Sequence, residues 1–416
     1  MPQTQREPSG SIYKGYERVS GVPSSVPIRT GTPSWQDIAT SAASGQKAVS
    51  CALSPASVLW EIAVPANPAS SPGSLTRQEI FQQPDTWPET VRRVREAALG
   101  QLPPAVLTGA GTSAYAGLAV EPAWPGSAAV ATTELFLDFE EALAARNMVV
   151  SFARSGNSPE SVAVIEKIHR ARPGVRHIAV TANAAGALAQ RPEVQAILLD
   201  PRTNDRSLVM TSSFSNLVLG GLCLARPDET EQALPALCAG GREVLESHER
   251  TARELSVEAA SRVVILASQP LFGLAREAWL KILEMTAGQV VPLVETYLGL
   301  RHGPLSFLRH DTLVVCLLSS DPRRRRYELD LVQELEQKNL GRRIALGPVE
   351  TNSGLFEHVI RTEASGLPDY LRTPAEVVFA QLLGYHLSLR LGLDPDNPSP
   401  SGVIHRVVQG VRIYED

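Results

Sequence analysis

The chain contains at residues 149–161 the stretch VVSFARSGNSPES, in which an apolar run changes abruptly to hydroxyl and amide side chains. This change predicts a buried strand that ends in a polar turn before a helix begins. Gly156 permits a tight turn, Ser158 suits the N-cap, and Pro159 suits the first helical position. The N–H groups of a helix start attract anions, and the serines and Arg154 add donors that suit a phosphomonoester. The alternative is an ordinary capped helix without a ligand, since such turns are common.

A second polar turn follows the apolar residues 105–107 in the stretch AVLTGAGTSAYAG. Its Gly-x-Gly-x-x-Ala spacing also matches the fingerprint of a dinucleotide-binding fold, and Glu134 follows near the end of a further apolar run. Thr112 and Ser113, however, supply side-chain donors where a pyrophosphate site mostly uses backbone N–H groups. A nicotinamide site is therefore the less favoured alternative for this turn.

A third polar segment, MTSSF at residues 210–214, precedes an apolar stretch that is predicted to be a helix over residues 216–225. All three polar segments follow or adjoin predicted strand ends. The carboxyl edge of a parallel sheet is where such segments converge on a ligand. The three segments together therefore predict a site for a small phosphorylated molecule.

The composition is that of a soluble globular protein, with 416 residues, 43% hydrophobic and 20% charged. A net charge of −5 and a pI near 6.0 argue against binding of nucleic acid. Residues 208–225 are uncharged but contain five polar side chains, so a buried helix is expected there and no membrane span. The chain shows no signal segment and no metal-binding cysteine spacing, so a cytoplasmic protein is expected whose cysteines are core thiols: Cys51, Cys223, Cys238 and Cys316.

Four segments are expected along the chain. Residues 1–75 are rich in Ser, Pro, Gly and Ala and form a loosely ordered arm. Residues 76–245 and 246–395 each alternate short apolar strands with helices, which predicts two doubly wound, flavodoxin-like α/β domains with parallel sheets. A charged helical connector spans residues 228–255, and residues 396–416 form a tail near the site. The predicted strands begin at Ala105, Ala128, Val149, His177 and Val194, later strands cover residues 262–267, 312–318 and 343–346, and a further strand ends near Glu295. Helices are predicted over residues 87–99, 271–288, 325–338 and 373–391.

A candidate reaction centre follows in the stretch REAWLKILEMTAG, where Glu277, Lys281 and Glu284 share one helix face. A solvated face with a Glu–Lys pair is the simple alternative. His302, which lies between Arg301 and a Gly-Pro pair, is poorly explained by core packing. A carboxylate, a histidine and a phosphate site suit aldose–ketose conversion, in which histidine helps to open the ring and glutamate moves a proton from C2 to C1. This chemistry needs no metal and no cofactor.

These motifs resemble the sugar isomerase (SIS) domain family, which is a tandem pair of doubly wound domains. The stretches ARSGNSPESV, MTSSFSN, FGLAREAWLKILEMTAG and GLRHGP and the tail DNPSPSG with RVVQGV resemble its AgaS type, the galactosamine-6-phosphate deaminases/isomerases and tagatose-6-phosphate ketose/aldose isomerases. The likeness covers residues 81–414.

The resemblance implies roles for individual residues. Glu284 would carry the proton between C2 and C1, and Lys281 would position the open-chain sugar or its amino group. His302 would open the ring and would come from the neighbouring subunit, which implies a homodimer. The residues implied to hold phosphate and sugar hydroxyls are Gly111, Thr112, Ser113, Ser155, Asn157, Ser158, Thr211 and Ser212. Arg154, Arg301 and His405 complete the candidate binding set.

Two differences from related glucosamine-6-phosphate synthases bear on the direction of the reaction. Pro2 stands where those enzymes have a cysteine that begins a glutaminase domain, so no internal ammonia source is expected. No lysine follows Lys338, and His405 and Arg406 occupy the tail region where the synthases place one. Deamination of an amino-sugar phosphate is therefore the favoured reaction. Isomerisation without nitrogen release and non-catalytic sensing of a sugar phosphate are the alternatives.

Overall fold

The computed structural model of the protein describes residues 71–416, except residues 259, 260, 350–353, 409, 415 and 416. Most of the predicted arm, residues 1–75, and Cys51 therefore lie outside the described residues. Both sheets belong to one compact unit, Asn67–Asp416. None of the helices in the described part of the chain is long and apolar enough to cross a membrane.

The first half of the described chain forms a parallel five-stranded sheet. The predicted strands are all present, and their paired residues confirm the parallel arrangement. The elements are α1 Ser74–Phe81, α2 Gln83–Glu96, β1 Val106–Gly109, α3 Thr112–Val120, β2 Ala128–Ala131, α4 Thr132–Ala142, β3 Met148–Ala153, α5 Pro159–Ala171, β4 Arg176–Thr181, β5 Val194–Leu198 and α6 Ser212–Ala225.

The second half repeats this layout after the predicted helical connector and forms a second parallel five-stranded sheet. When the strands are counted within each half, both sheets have the order 2-1-3-4-5 of flavodoxin-like folds. The elements are α7 Pro227–Glu243, a π-helical turn Val244–His248, α8 Glu249–Glu258, β6 Arg262–Ala267, α9 Phe272–Met285, β7 Val291–Glu295, α10 Tyr297–Leu300, β8 Leu313–Leu317, α11 Pro322–Gln337, β9 Arg342–Leu346, β10 His358–Ile360 and α12 Asp369–Arg390. The three-residue β10 was not predicted.

Two close helix contacts join the halves. The long helix α12 is buried along nearly its whole length and packs against α6 of the first half and α7, α8 and α9. Helix α9 also packs against α3, and a Cβ at Gly273 would lie 2.5 Å from the backbone nitrogen of Ala119. The backbones of α3 and α9 lie so close together at this point that only glycine fits. That approach brings residues of both halves into one site.

Candidate active site

A cavity of about 320 Å³ lies at the carboxyl ends of β1 and β3. These two strands are neighbours in the sheet, and the chain leaves them toward opposite faces. This switch point is where open α/β sheets bind ligands. The polar turns that follow β1 and β3 line the cavity together with Glu284 and residues 403–408 of the tail. The predicted residues that the structure brings together here are Gly111, Thr112, Ser113, Arg154, Ser155, Ser158, Glu284 and His405.

The start of α5 forms one wall of this cavity. Ser158 is the N-cap residue and Pro159 takes the first helical position, as predicted, but no described hydrogen bond joins the Ser158 hydroxyl to the helix N–H groups. Gly156 has φ +66°, a backbone conformation that favours glycine, and its turn presents Ser155 to the cavity. An uncapped helix start beside two hydroxyls is a binding environment for an anion.

Asn157 is oriented differently from the prediction. Its Oδ1 accepts a hydrogen bond from the backbone nitrogen of Ala187 at 2.8 Å, and its own backbone nitrogen donates to Ser155 Oγ at 3.3 Å. The side chain is outside the set that lines the cavity. In this structure Asn157 therefore stabilises the turn that carries Ser155.

The opposite wall contains a buried cation between two carboxylates. Lys281 Nζ lies 2.7 Å from Glu284 Oε2 and 3.4 Å from Glu277 Oε1, and it donates a hydrogen bond to Thr112 Oγ1 at 3.2 Å. The side chains of Lys281 and Glu277 are 0% exposed, whereas that of Glu284 is 25% exposed. The alternative of a solvated Glu–Lys face is therefore wrong for this helix. Only the Glu284 carboxylate opens into the cavity.

Burial sets the protonation of this group of residues. It raises the pKa of Glu277 to about 8, although the Lys281 ammonium opposes the shift. Burial alone would lower the pKa of Lys281, but attraction to Glu277 and Glu284 outweighs it, and the pKa lies above its ordinary value. At neutral pH, Glu277 is then mostly protonated. Lys281 is therefore held as an ammonium ion between the two glutamate side chains.

The C-terminal tail is attached to the cavity wall by two arginines. Arg154, which is buried, donates to the carbonyl oxygens of Ser207, Leu208 and Arg406 at 3.2, 3.0 and 2.6 Å. The Arg406 side chain in turn donates to the Asp205 carbonyl oxygen at 2.9 Å from Nε. Burial lowers the pKa of Arg154 to about 10, so it remains a cation at neutral pH. In this structure the guanidinium of Arg154 therefore binds backbone, although it was predicted to bind the ligand.

The predicted donors Thr211 and Ser212 bind the protein through the Thr211 backbone nitrogen and the Ser212 hydroxyl, while the Thr211 hydroxyl has no hydrogen-bond partner among the described residues. Both residues are completely buried and outside the cavity lining. The Asp205 carboxylate accepts hydrogen bonds from the Thr211 backbone nitrogen at 2.8 Å, from the Ser212 hydroxyl, and from the Ser213 backbone nitrogen at 2.9 Å. Asp205 thus caps the start of α6. This segment shapes the cavity indirectly, because Met210 just before it lines the wall.

The RHGP turn lies outside the cavity of its own chain. Arg301 forms ion pairs with Asp330 at 2.8 Å and Glu334 at 2.7 Å, so its guanidinium binds α11. His302 is exposed, and the following Gly303 has φ +122°, which favours glycine. Neither residue lines the cavity that contains Glu284.

The chain is similar in sequence and in structure to known proteins. No family model matches the chain. An AgaS protein of Streptomyces coelicolor is 38% identical over 367 residues, which cover 82% of this chain and 95% of that protein. The D-galactosamine-6-phosphate deaminase AgaS of a Shewanella species is 35% identical over 82% of this chain and 91% of its own length. The chain belongs to the AgaS family. The crystal structure of tagatose-6-phosphate ketose/aldose isomerase from Escherichia coli matches this AgaS-family chain with a TM-score of 0.71 and 32% identity, covering 81% of this chain and 99% of the other.

Membership of the AgaS family confirms the tandem α/β fold expected of SIS proteins. Three residues that shape the site were absent from the predicted set: Glu79, Asp205 and Arg406. Glu79 accepts hydrogen bonds from the backbone nitrogens of Arg206 and Ser207 and so supports the loop beside the cavity. The spacing of Asp205 before a Thr-Ser-Ser helix start could have indicated a cap, but no local pattern indicates Glu79, which is distant in sequence.

Proposed function

We propose that this protein is an amino-sugar phosphate deaminase/isomerase that converts galactosamine 6-phosphate, or its glucosamine epimer, to a ketose 6-phosphate and ammonia. One observation carries the proposal: the Glu284 carboxylate opens into the same cavity as the uncapped start of α5. A base and an anion site are thus separated by a space that fits one small sugar phosphate. The AgaS relatives, which are named galactosamine-6-phosphate deaminases, support this substrate class.

The phosphate group would bind at the start of α5, where Ser155 and Ser158 supply hydroxyl donors and the helix dipole favours negative charge. The turn after β1 faces it across the cavity, with Thr112 and Ser113 at the start of α3. Binding at these two helix starts would direct the carbon chain of the sugar toward Glu284.

The reaction would begin with opening of the sugar ring, which exposes the aldehyde at C1. Glu284 would then remove the proton from C2 and return it to C1; the aldehyde oxygen gains a proton as the enolamine forms, and loss of one proton from nitrogen leaves a ketimine at C2. Water adds to C2, and the nitrogen takes up a proton and leaves as ammonia, which produces the ketone. The net reaction consumes one water and releases one ammonia. Lys281 was expected to position the sugar, but it is fully buried and outside the cavity lining, so it would act as a positioning residue that holds Glu284 in place.

Ring opening would use His302 from a second copy of the chain, because His302 lies outside the cavity of its own chain. This makes a homodimer with shared sites part of the proposal. Mixing of two inactive variants, Glu284→Gln and His302→Asn, tests it. Half of the randomly formed dimers are mixed and each has one intact site of two, so about a quarter of wild-type activity should return. No recovery after subunit exchange would contradict shared sites.

A cytoplasmic location is also proposed. Among the described residues, Cys223, Cys238 and Cys316 are buried free thiols, which is the state expected in a reducing compartment. Burial raises the pKa of Cys223 and Cys316 to about 12, so these thiols are unreactive at neutral pH. They are therefore core residues with no role in the proposed reaction.

The test of the function is ammonium release from galactosamine 6-phosphate and from glucosamine 6-phosphate by the purified protein. Glu284→Gln should abolish release, and the matched variant Glu336→Gln, at an exposed position on α11, should retain it. The preferred epimer is the one with the larger kcat/KM. Conversion of tagatose 6-phosphate to its aldose without ammonium release would instead establish the isomerase. Tight binding without turnover of any of these sugars would establish a sensor.

A further inference from the structure

The second sheet contains a counterpart of the ligand-binding switch point. Within its own half, β6 corresponds to β1 and β8 corresponds to β3, because the two sheets have the same strand order. The stretch LLSSDP at residues 317–322 follows β8, just as the SGNSP turn follows β3. Each stretch joins a buried strand to a helix that begins with proline. The duplicated fold therefore builds a second hydroxyl-rich turn at the position that corresponds to the proposed phosphate site of the first half.

This second turn already binds carboxylates of the protein. Asp369, the first residue of α12, accepts hydrogen bonds from the Ser319 hydroxyl and from the backbone nitrogen of Ser320 at 2.7 Å. The Asp321 carboxylate caps α11 by accepting from the backbone nitrogen of Arg323 at 2.8 Å. In the first half, by contrast, the hydroxyl of the corresponding N-cap residue makes no described capping bond.

A buried arginine lies behind the Asp369 carboxylate. Arg372 is 0% exposed, and its Nη1 lies 3.3 Å from Asp369 while its Nε lies 3.2 Å from Glu376. Its Nη2 donates to the Leu318 carbonyl oxygen at 2.8 Å. Within the described chain, Nε and Nη1 make no hydrogen bond of good geometry. A hydroxyl, a backbone N–H and a guanidinium thus surround one carboxylate, and this donor set is one that also binds phosphate.

We propose that the Asp369 carboxylate occupies an oxyanion site in the second sheet, so that each chain keeps one open phosphate site and one that is closed by its own side chain. The site closed in this way reaches the surface, because Ser320 is exposed. Removal of the carboxylate would leave the Ser319 hydroxyl, the Ser320 N–H group and the Arg372 guanidinium available to an inorganic oxyanion.

Two further carboxyl groups lie next to Ser319 and Arg372, and their protonation determines the pH at which the proposal is best tested. Burial raises the pKa of Glu376 to about 7 and also raises the pKa of Glu328, whose carboxylate accepts from the Ser319 backbone nitrogen at 2.9 Å. At about pH 6, Glu376 is mostly protonated and repels an added anion little. At this pH, repulsion between Glu376 and the added phosphate should therefore interfere least with phosphate binding.

The experiment measures thermal unfolding of the full chain with increasing inorganic phosphate at about pH 6. Wild type should gain stability through the first site alone. Asp369→Ala should start with a lower Tm and should gain about 2 °C more than wild type at a phosphate concentration well above the dissociation constant. Asp369→Ala combined with Ser319→Ala should lose this extra gain. Equal phosphate gains in wild type and Asp369→Ala would overturn the proposal.

A second variant covers the case in which Asp369→Ala does not fold. Asp369→Ser also vacates the space of the carboxylate but keeps a polar side chain at the start of α12, and the same comparison with wild type then decides. The assay is independent of turnover, and Asp369 is outside the cavity that contains Glu284. Failure of the proposed deaminase activity would therefore leave the result unaffected, and the two proposals can fail separately.

Discussion

Lys281 Nζ and Glu284 Oε2 are 2.7 Å apart, and the first group is completely enclosed while the second opens into the cavity. The ammonium also lies 3.4 Å from the buried carboxyl of Glu277. The reacting carboxylate in the proposed mechanism is therefore held from behind by a cation that has no contact with solvent. Lys281 therefore contributes both to the contact between α3 and α9 and to the position of the carboxylate that would react.

Lys281→Met should remove both activity and stability. The variant leaves the two glutamates without their cation, which costs about 3 kcal/mol of the free energy of unfolding in comparable buried pairs. Activity should fall at least about 100-fold, since Glu284 is no longer held in place. The matched control is Lys338→Met, at an exposed pair with Glu334, which should cost less than about 1 kcal/mol. Similar losses in both variants would show that burial of the pair is unimportant.

Glu277→Gln should change how stability depends on pH. The pKa of Glu277 is raised from 4.5 to about 8 in the folded state, so the folded chain holds a proton that the unfolded chain has lost between these values. Its contribution to stability therefore falls as pH rises from 4.5 to 8. The wild type should lose stability relative to Glu277→Gln across this window, as measured by urea unfolding at several pH values. A constant difference between the two proteins would contradict the raised pKa.

Arg406→Ala should raise KM for the sugar phosphate roughly 10-fold, because hydrogen bonds from charged groups that hold the tail are lost. Arg154→Lys should act on the same attachment, so the two effects should be less than additive in the double variant. Arg412→Ala, at an exposed tail position where Arg412 stacks on Tyr414, should leave KM unchanged. If Arg154 binds phosphate directly, the effects of Arg154→Lys and Arg406→Ala should instead be additive.

Ser158→Asp should convert the open phosphate site into a closed one. The new carboxylate can cap α5 as Asp321 caps α11, so stability should stay the same or rise by up to about 1 kcal/mol. KM should rise more than about 10-fold, because the carboxylate occupies and repels the phosphate position. Thermal unfolding and steady-state kinetics of Ser158→Asp and Ser158→Ala check both parts. Unchanged KM in Ser158→Asp would place the phosphate elsewhere.

Much of the fold followed from local sequence patterns. Alternating apolar runs and helical segments predicted two parallel sheets, and the strands and helices occur close to the predicted positions. The turn chemistry was also predictable, because Gly156 and Pro159 satisfy backbone requirements that depend on a few neighbouring residues. The short strand β10 was missed, since three residues carry too little periodicity to separate a strand from a loop.

The donors of the site were harder to predict. Thr211 and Ser212 are residue types that often bind ligands. In this structure, however, the Asp205 carboxylate accepts hydrogen bonds from the Thr211 backbone nitrogen and from the Ser212 hydroxyl. Arg154 likewise has the charge expected at a phosphate site but donates to three carbonyl oxygens. Sequence identifies which donors exist. Competition among acceptors, which depends on packing, determines which donors remain for a ligand.

The sequence by itself determined two strand–turn–helix units with hydroxyl-rich turns, because strand burial, turn conformation and helix starts depend on residues within about ten positions of one another. It also determined that Lys281 and Glu284 share a helix face. Only the tertiary structure decided that the turn at Ser158 is open and the turn at Ser319 is filled. The acceptor that fills the second turn, Asp369, lies 50 residues further along the chain, and packing of α12 brings it there.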